Sequence, residues 1–312
     1  VEAGAVPLAA IRLVIRAGSV DLPAGATWLD RFVVEYLREG TRDRDAAAFA
    51  GALAAMGGRL EVDADELSTT LSTEVLAEHA PAAVALLLEL ARSPRFPAEA
   101  AERLLTDLRR TFDMAQAQPG WLAYATMRRA LFADQPYGRV MPEAGVIDSF
   151  TTARAAEFWE RTTGARRAHL MVAGRFAGDE VVEAARRAAE GWAPGTEPAP
   201  IAATPQEGRA IHLVDRPGAE QSTLQIGLPV IDPSHVDYVA LEVTNALLGG
   251  AFASRITMNI REDKGYTYSP RSVISARPRG TYWVEIADVT TAVTGASLHE
   301  IFGEIDRLRA EA

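Results

Sequence analysis

The chain of 312 residues carries 48% hydrophobic and 24% charged residues at a mean hydropathy of -0.01, enough apolar material for a sizeable core, which excludes disorder and fibrous structure. Its 42 acidic against 32 basic residues give a formal charge of -10, so a nucleic-acid partner, which needs a basic face, is not expected. There is no cysteine, hence no disulfide, thiolate ligand or thiol nucleophile, and no apolar run approaches the roughly 18 residues of a membrane span.

Leu8 to Ala17 alternates with period two and is expected as a strand. Trp28 to Arg38 spaces Leu29, Phe32, Val33, Tyr36 and Leu37 as a helix, stopped by Gly40-Thr41. An alanine-rich helix, Asp45 to Met56, leads through Gly57-Gly58 to strands at Arg59 to Asp63 and Ser68 to Val75, and Ala80 to Ala91 has the length of a buried helix. After the SPRFP turn, helices are expected at Ala98 to Ala117 and Gly120 to Phe132, then the DQPYGRV loop and a short buried strand, His169 to Gly174. Trp192 to Gly208 holds four prolines and two glycines and reads as a linker.

Beyond it the order begins again. Strands are expected at Ala210 to Val214 and Ser222 to Leu228, helices at Asp237 to Leu248 and Ser254 to Arg261, strands at Thr267 to Ala276 and Thr281 to Ala287, then a final helix. The repeat implies a duplicated α+β domain: residues 1–192, a linker over 193–208, and residues 209–312. Val1 opens in strand sequence without a methionine and the chain ends in a helical pattern without a capping glycine, so a longer polypeptide and an incomplete second copy are expected.

The five histidines (His79, His169, His212, His235, His299) include no pair at a close metal-binding spacing. Asp63, Asp65 and Glu66 lack the glycine and glutamate of a calcium loop and read as a solvated turn. Gly249-Gly250 lacks the Gly-Lys-Ser/Thr continuation of a phosphate loop. In Ala251 to Pro270 (AFASRITMNIREDKGYTYSP) a helix ends at Arg261, Lys264-Gly265 breaks it, and an aromatic strand follows, so Arg261 and Tyr268 flank one turn. A guanidinium and a phenol so placed can both donate to one carbonyl oxygen. Equally, Arg261 can cap the helix end and Tyr268 can pack on the sheet. Tyr266, two residues earlier, would share the face of Tyr268 on a strand.

This segment resembles the second-domain signature of the pitrilysin, insulinase and mitochondrial processing peptidase family, an arginine at a helix end followed seven residues later by a tyrosine. VDRPGAEQSTLQIGLP and LLGGAFASRITMNIRED are similar to family stretches in the second half, as are EGTRDRDAAAFAGALAAMGGRLEV, SPRFPAEAAERL and DQPYGRV in the first. The resemblance implies two homologous α+β domains, each a mostly antiparallel sheet covered by helices, the second copy truncated. Catalytic members carry an inverted His-x-x-Glu-His zinc motif on the first helix. The equivalent window here is Arg31-Phe32-Val33-Val34-Glu35, with Arg31, Val34 and Glu35 at the motif positions, and Arg110 and Thr111 stand near the downstream glutamate ligand. No zinc is expected on this chain.

Non-catalytic relatives lack the motif and complete the site of a zinc-bearing partner. The resemblance thus implies a heterodimer in which Arg261 and Tyr268, with Tyr266 as a further substrate-binding residue, hold the peptide carbonyl while a homologous His-x-x-Glu-His subunit supplies zinc. The alternatives are an assembly subunit, or a peptide-binding pseudo-peptidase that adds an extended peptide to a sheet edge. A bacterial periplasmic or envelope location is what the analogy favours.

Overall fold

The computed structural model describes residues 1, 6–198, 201 and 203–311. They divide into two compact units, residues 1–112 with 141–200, and residues 113–140 with 201–312.

In the first unit, β1 (Leu8–Ile15) turns Ala9, Ile11, Leu13 and Ile15 to one face, where all four are buried. α1 (Leu29–Leu37) buries Phe32, Val33, Tyr36 and Leu37 at helical spacing. α2 (Ala46–Ala54) starts at Asp45, whose side chain accepts from the Ala48 amide at 2.8 Å. β2 (Glu61–Ala64) and β3 (Thr69–Leu76) form an antiparallel pair, and α3 (Ala80–Arg92) packs on β1 and β3. α4 (Ala101–Ala117) follows, and in chain order α5 (Pro119–Phe132) belongs to the second unit; the first continues with α6 (Thr152–Thr162), β4 (Ala168–Gly174) and α7 (Gly178–Ala189), which lies against α3. The sheet order is β2-β3-β1-β4, antiparallel throughout, with Leu8 opposite Leu76 and Ala9 opposite Gly174. The indole N–H of Trp159 donates to the Ala91 carbonyl at 2.9 Å and ties α6 to α3.

The second unit places α5 on β5 (Gln221–Pro229). The approach is close: a Cβ on Gly227 would lie 2.8 Å from the Met127 sulfur. Arg128 of α5 is fully buried, its guanidinium 5.4 Å from the ring centres of both Tyr124 and Tyr282, with Phe132 and Tyr137 at 5.7 and 5.8 Å. α8 (Tyr238–Asn245) runs into a π-helical turn, Ala246–Gly250, and α9 (Arg255–Thr257) into another, Met258–Asp263. β6 (Arg271–Ser275), β7 (Tyr282–Thr290) and α10 (Thr294–Ala310) complete the unit, whose antiparallel sheet has the order β5-β7-β6. Leu248, Ile256, Ile260, Trp283, Ala287, Val289 and Ile301 form its core.

The expected α+β class holds, with antiparallel sheets flanked by helices. Boundaries shift by a few residues at most elements, but three differences are larger. Ala210 to Val214 forms no strand: Ile211 and Leu213 are 93% and 88% exposed, and no described strand pairs with their backbone, without which an alternating pattern stays extended coil. The strand expected from Thr267 begins only at Arg271, Thr267 making a single bridge to Val289. β4 is not buried, since it is the sheet's edge and alternate residues from His169 to Ala173 face outward. By packing, residues 113–140 group with the second half of the chain because α5 lies on β5. Among the described residues no helix is long and apolar enough to cross a membrane.

Candidate functional site

The second π-helical turn sets the site. Its widened hydrogen bonding carries the helix to Asp263, after which the Gly265 amide donates to the Arg261 carbonyl at 3.1 Å with Gly265 at φ 64°, a left-handed conformation glycine adopts freely. The Tyr266 amide then donates to the Ile260 carbonyl at 2.8 Å, folding the chain back along the helix end. This reversal brings Tyr268 to Arg261, with the guanidinium carbon 5.0 Å from the tyrosine ring centre. On its other contact the guanidinium lies 4.5 Å from the ring centre of Phe252, which follows the Gly249-Gly250 turn.

Arg261 is thus flanked by two aromatic rings that are themselves 70% and 81% exposed, for Phe252 and Tyr268, while its own side chain is only 23% exposed. Its Nε pairs with Glu262 at 3.2 Å, and its two terminal nitrogens make no hydrogen bond among the described residues. The Tyr268 hydroxyl has no partner among the described residues. Chemically, the pair offers unpaired donors to a carbonyl or carboxylate. Tyr266 is half-buried and makes no ring contact with Arg261 among the described residues, because residues 266–268 do not continue as a strand.

A polar network fixes the helix carrying Arg261. Glu304 of α10, 2% exposed, accepts from Asn259 Nδ2 at 2.7 Å and Arg255 Nε at 3.2 Å, and pairs with Arg307. Asn259 Nδ2 also donates to Glu300 at 3.1 Å, and that hydrogen bond, ahead of nearby Lys264, holds the Glu300 carboxyl below its ordinary range. Behind the first π-helical turn lies a different environment. Asn245 Oδ1 accepts from Ser272 Oγ at 2.7 Å and Trp283 Nε1 at 2.9 Å, while Glu285 of β7 is 1% exposed with neither carboxyl oxygen hydrogen-bonded to a side chain. Burial pushes its pKa up to about 8, against the pull of Arg271. Gly249 makes room for this cluster: a Cβ there would lie 2.6 Å from Ser272 Oγ and 2.7 Å from Glu285 Oε2.

The motif positions on α1 do not suit zinc. The Arg31 guanidinium lies 4.4 Å from the ring centre of Trp28, itself edge-on to Phe112 at 5.9 Å. Burial lowers the Arg31 pKa, with the Asp30 charge opposing. Val34 is buried and apolar, and Glu35 faces Arg38 at 3.6 Å. Downstream, Arg110 pairs with Asp107 and Thr111 Oγ1 donates to the Asp107 carbonyl at 2.9 Å. A cation, an aliphatic group and one carboxylate supply a single anionic donor where zinc takes three or four ligands. No cluster of three His, Cys, Asp or Glu able to hold a metal occurs among the described residues. Beside this window Asp30 is buried, and desolvation raises its pKa to about 6.

Phe252, Glu285 and Asp30 carry no signal in local spacing. Phe252 reaches Arg261 only through a helix that passes into a π-helical turn, and Glu285 sits at an inward position of a strand where an apolar residue is the default.

Residues 3–143 match the family model for insulinase (peptidase family M16), and residues 149–312 match that for the peptidase M16 inactive domain. An uncharacterized zinc protease of Rickettsia bellii is 24% identical over 264 residues, 83% of this chain and 63% of that protein. A Helicobacter pylori protein named non-peptidase homolog YmxG is 23% identical over 269 residues, 84% of this chain and 61% of that protein. This chain therefore spans about three-fifths of the length of these relatives. The crystal structure of a peptidase M16 inactive domain from Pseudomonas fluorescens has the same fold, with a TM-score of 0.88 at 23% identity over 98% of this chain and 75% of that one. With both halves matched in order, the chain belongs to the insulinase family of peptidases, M16, its second half being the inactive domain.

Proposed function

We propose that this chain is the non-catalytic subunit of a heterodimeric zinc metallopeptidase, in which Arg261 and Tyr268 donate to the carbonyl of a peptide bound at the zinc of a homologous His-x-x-Glu-His subunit. In this reading residues 1–192 and 209–312 are the two copies of the duplicated domain, with 193–208 as their joint, and Tyr266 borders the peptide. The observation that carries it is the contact of Arg261 with two exposed rings, Phe252 and Tyr268, in a chain whose zinc-motif positions hold Arg31, Val34 and Glu35. An arginine held against two exposed rings, with its terminal nitrogens unpaired among the described residues, retains donors that a packing role would have spent inside the fold. Such donors act by matching the charge that grows on the carbonyl oxygen as water adds.

The test is turnover of a peptide by this chain mixed with its zinc-bearing partner. Arg261→Ala should lower turnover about 10²-fold or more, and Tyr268→Phe should lower it as well, with partner binding intact. Unchanged turnover for both would remove the catalytic role. A second reading, a peptide-binding pseudo-peptidase, draws on Glu262, which engages Arg261 and weakens its pull on a neutral carbonyl. It predicts peptide affinity that is independent of any partner and not followed by cleavage.

A further inference from the structure

A cleft of about 320 Å³ opens in the first unit, remote in sequence from the Arg/Tyr element and independent of the reading above. Its walls are tied in place. The Arg42 amide donates to the Ser93 carbonyl at 3.0 Å, and Thr41 bridges to Pro94, holding one loop against the end of α3. Arg92 donates to the carbonyls of Ala188 and Glu190, and the Ala165 amide to that of Ala193, fixing the turn that carries Trp192. Phe96, Pro94 and Trp192 give the cleft flat apolar surfaces.

Arg92 and the Trp159 indole spend their donors on backbone carbonyls, but several other donors in the lining are unpaired. Thr163 is 9% exposed and its buried hydroxyl has no hydrogen-bond partner, a state that costs about 1–3 kcal/mol unless something fills it. Neither the Ser93 hydroxyl, the Trp192 indole N–H nor the Arg42 guanidinium has a partner among the described residues. A single acid, Glu160, stands exposed at the rim. Clefts that hold small molecules start at roughly this size, with apolar walls and a few unpaired polar groups.

We propose that this cleft binds an α-carboxylate adjoining an aromatic side chain, either a free aromatic amino acid or the C-terminal residue of a peptide. The carboxylate takes the donors of Arg42 and Thr163, and the ring lies against Phe96 and Trp192. Charge-assisted bonds from a guanidinium supply the selectivity for an acid over its amide.

The test is calorimetric titration of the whole chain with phenylalanine, N-acetylphenylalanine and phenylalaninamide. Saturable binding of at least one acid is expected, with the amide at least about tenfold weaker. Arg42→Gln should weaken the acid about tenfold, and Thr163→Val severalfold, without lowering Tm, since Arg42 is exposed and the valine removes an orphaned hydroxyl. Tighter binding of phenylalanine than of its acetyl derivative identifies the free amino acid, with Glu160 meeting its ammonium group; the reverse order identifies a peptide terminus. No saturation by any of the three, equal affinity for acid and amide, or an unchanged affinity in Arg42→Gln would overturn the proposal.

Discussion

Replacing Glu285 by glutamine should stabilise the protein increasingly as pH rises from 5 to 8.5. Folding carries this carboxyl from an ordinary pKa of 4.5 to about 8, because desolvation on the central strand outweighs the attraction of Arg271. Between those values the folded chain holds a proton that the unfolded chain has released, so stability falls as pH rises through the window and levels off above pH 8. At about 1.4 kcal/mol per pH unit the full loss is on the order of 4–5 kcal/mol, a third or more of the stability of an ordinary domain. Glutamine keeps the shape of the neutral acid and cannot ionise, so it escapes the loss. Urea unfolding of both proteins from pH 5 to 8.5, with m checked for constancy, gives the difference directly. The curves should differ by about 1 kcal/mol at pH 5 and by about 4–5 kcal/mol at pH 8.5. Parallel curves, or a variant less stable at pH 8.5, would refute the assignment of a neutral buried acid.

Asp30→Asn should behave likewise in a lower window. The carboxyl rises from 3.8 to about 6 on burial, so the variant gains on the order of 2–3 kcal/mol at pH 7 and nothing at pH 3.5, measured by the same unfolding series. Gly249→Ala should cost about 1–3 kcal/mol, read as a fall in Tm, because its methyl group enters the space of Ser272 and Glu285; relief of that cost in a Gly249→Ala, Ser272→Gly double variant would identify the clash as the cause.

The sequence announces the architecture wherever periodicity and punctuation agree. Leu8 to Ile15 alternates and forms a central strand, and Asp45 caps the helix it precedes. Ile211 and Leu213 alternate just as clearly, yet remain exposed, because a strand depends on a partner that local sequence does not name. The Arg261 and Tyr268 pairing was legible through spacing and family resemblance. Its second aromatic wall was not, since no regular helix register brings Phe252 to a residue nine positions later. Ionisation behaviour was also hidden: Glu285 and Asp30 look like any other acids until burial removes their water.

The π-helical turn at Met258–Asp263 has a further consequence for how this segment can evolve. A π turn behaves as a one-residue insertion into an α-helix, absorbed without breaking it. Loss of one position within Met258–Asp263 can therefore be taken up by relaxation of the π turn to ordinary α-helical bonding, with Arg261 kept in phase beside both rings. In a regular α-helix, where each residue advances the azimuth by about 100°, the same deletion would turn every later side chain to another face. The segment therefore tolerates the loss of one residue where a regular helix would not.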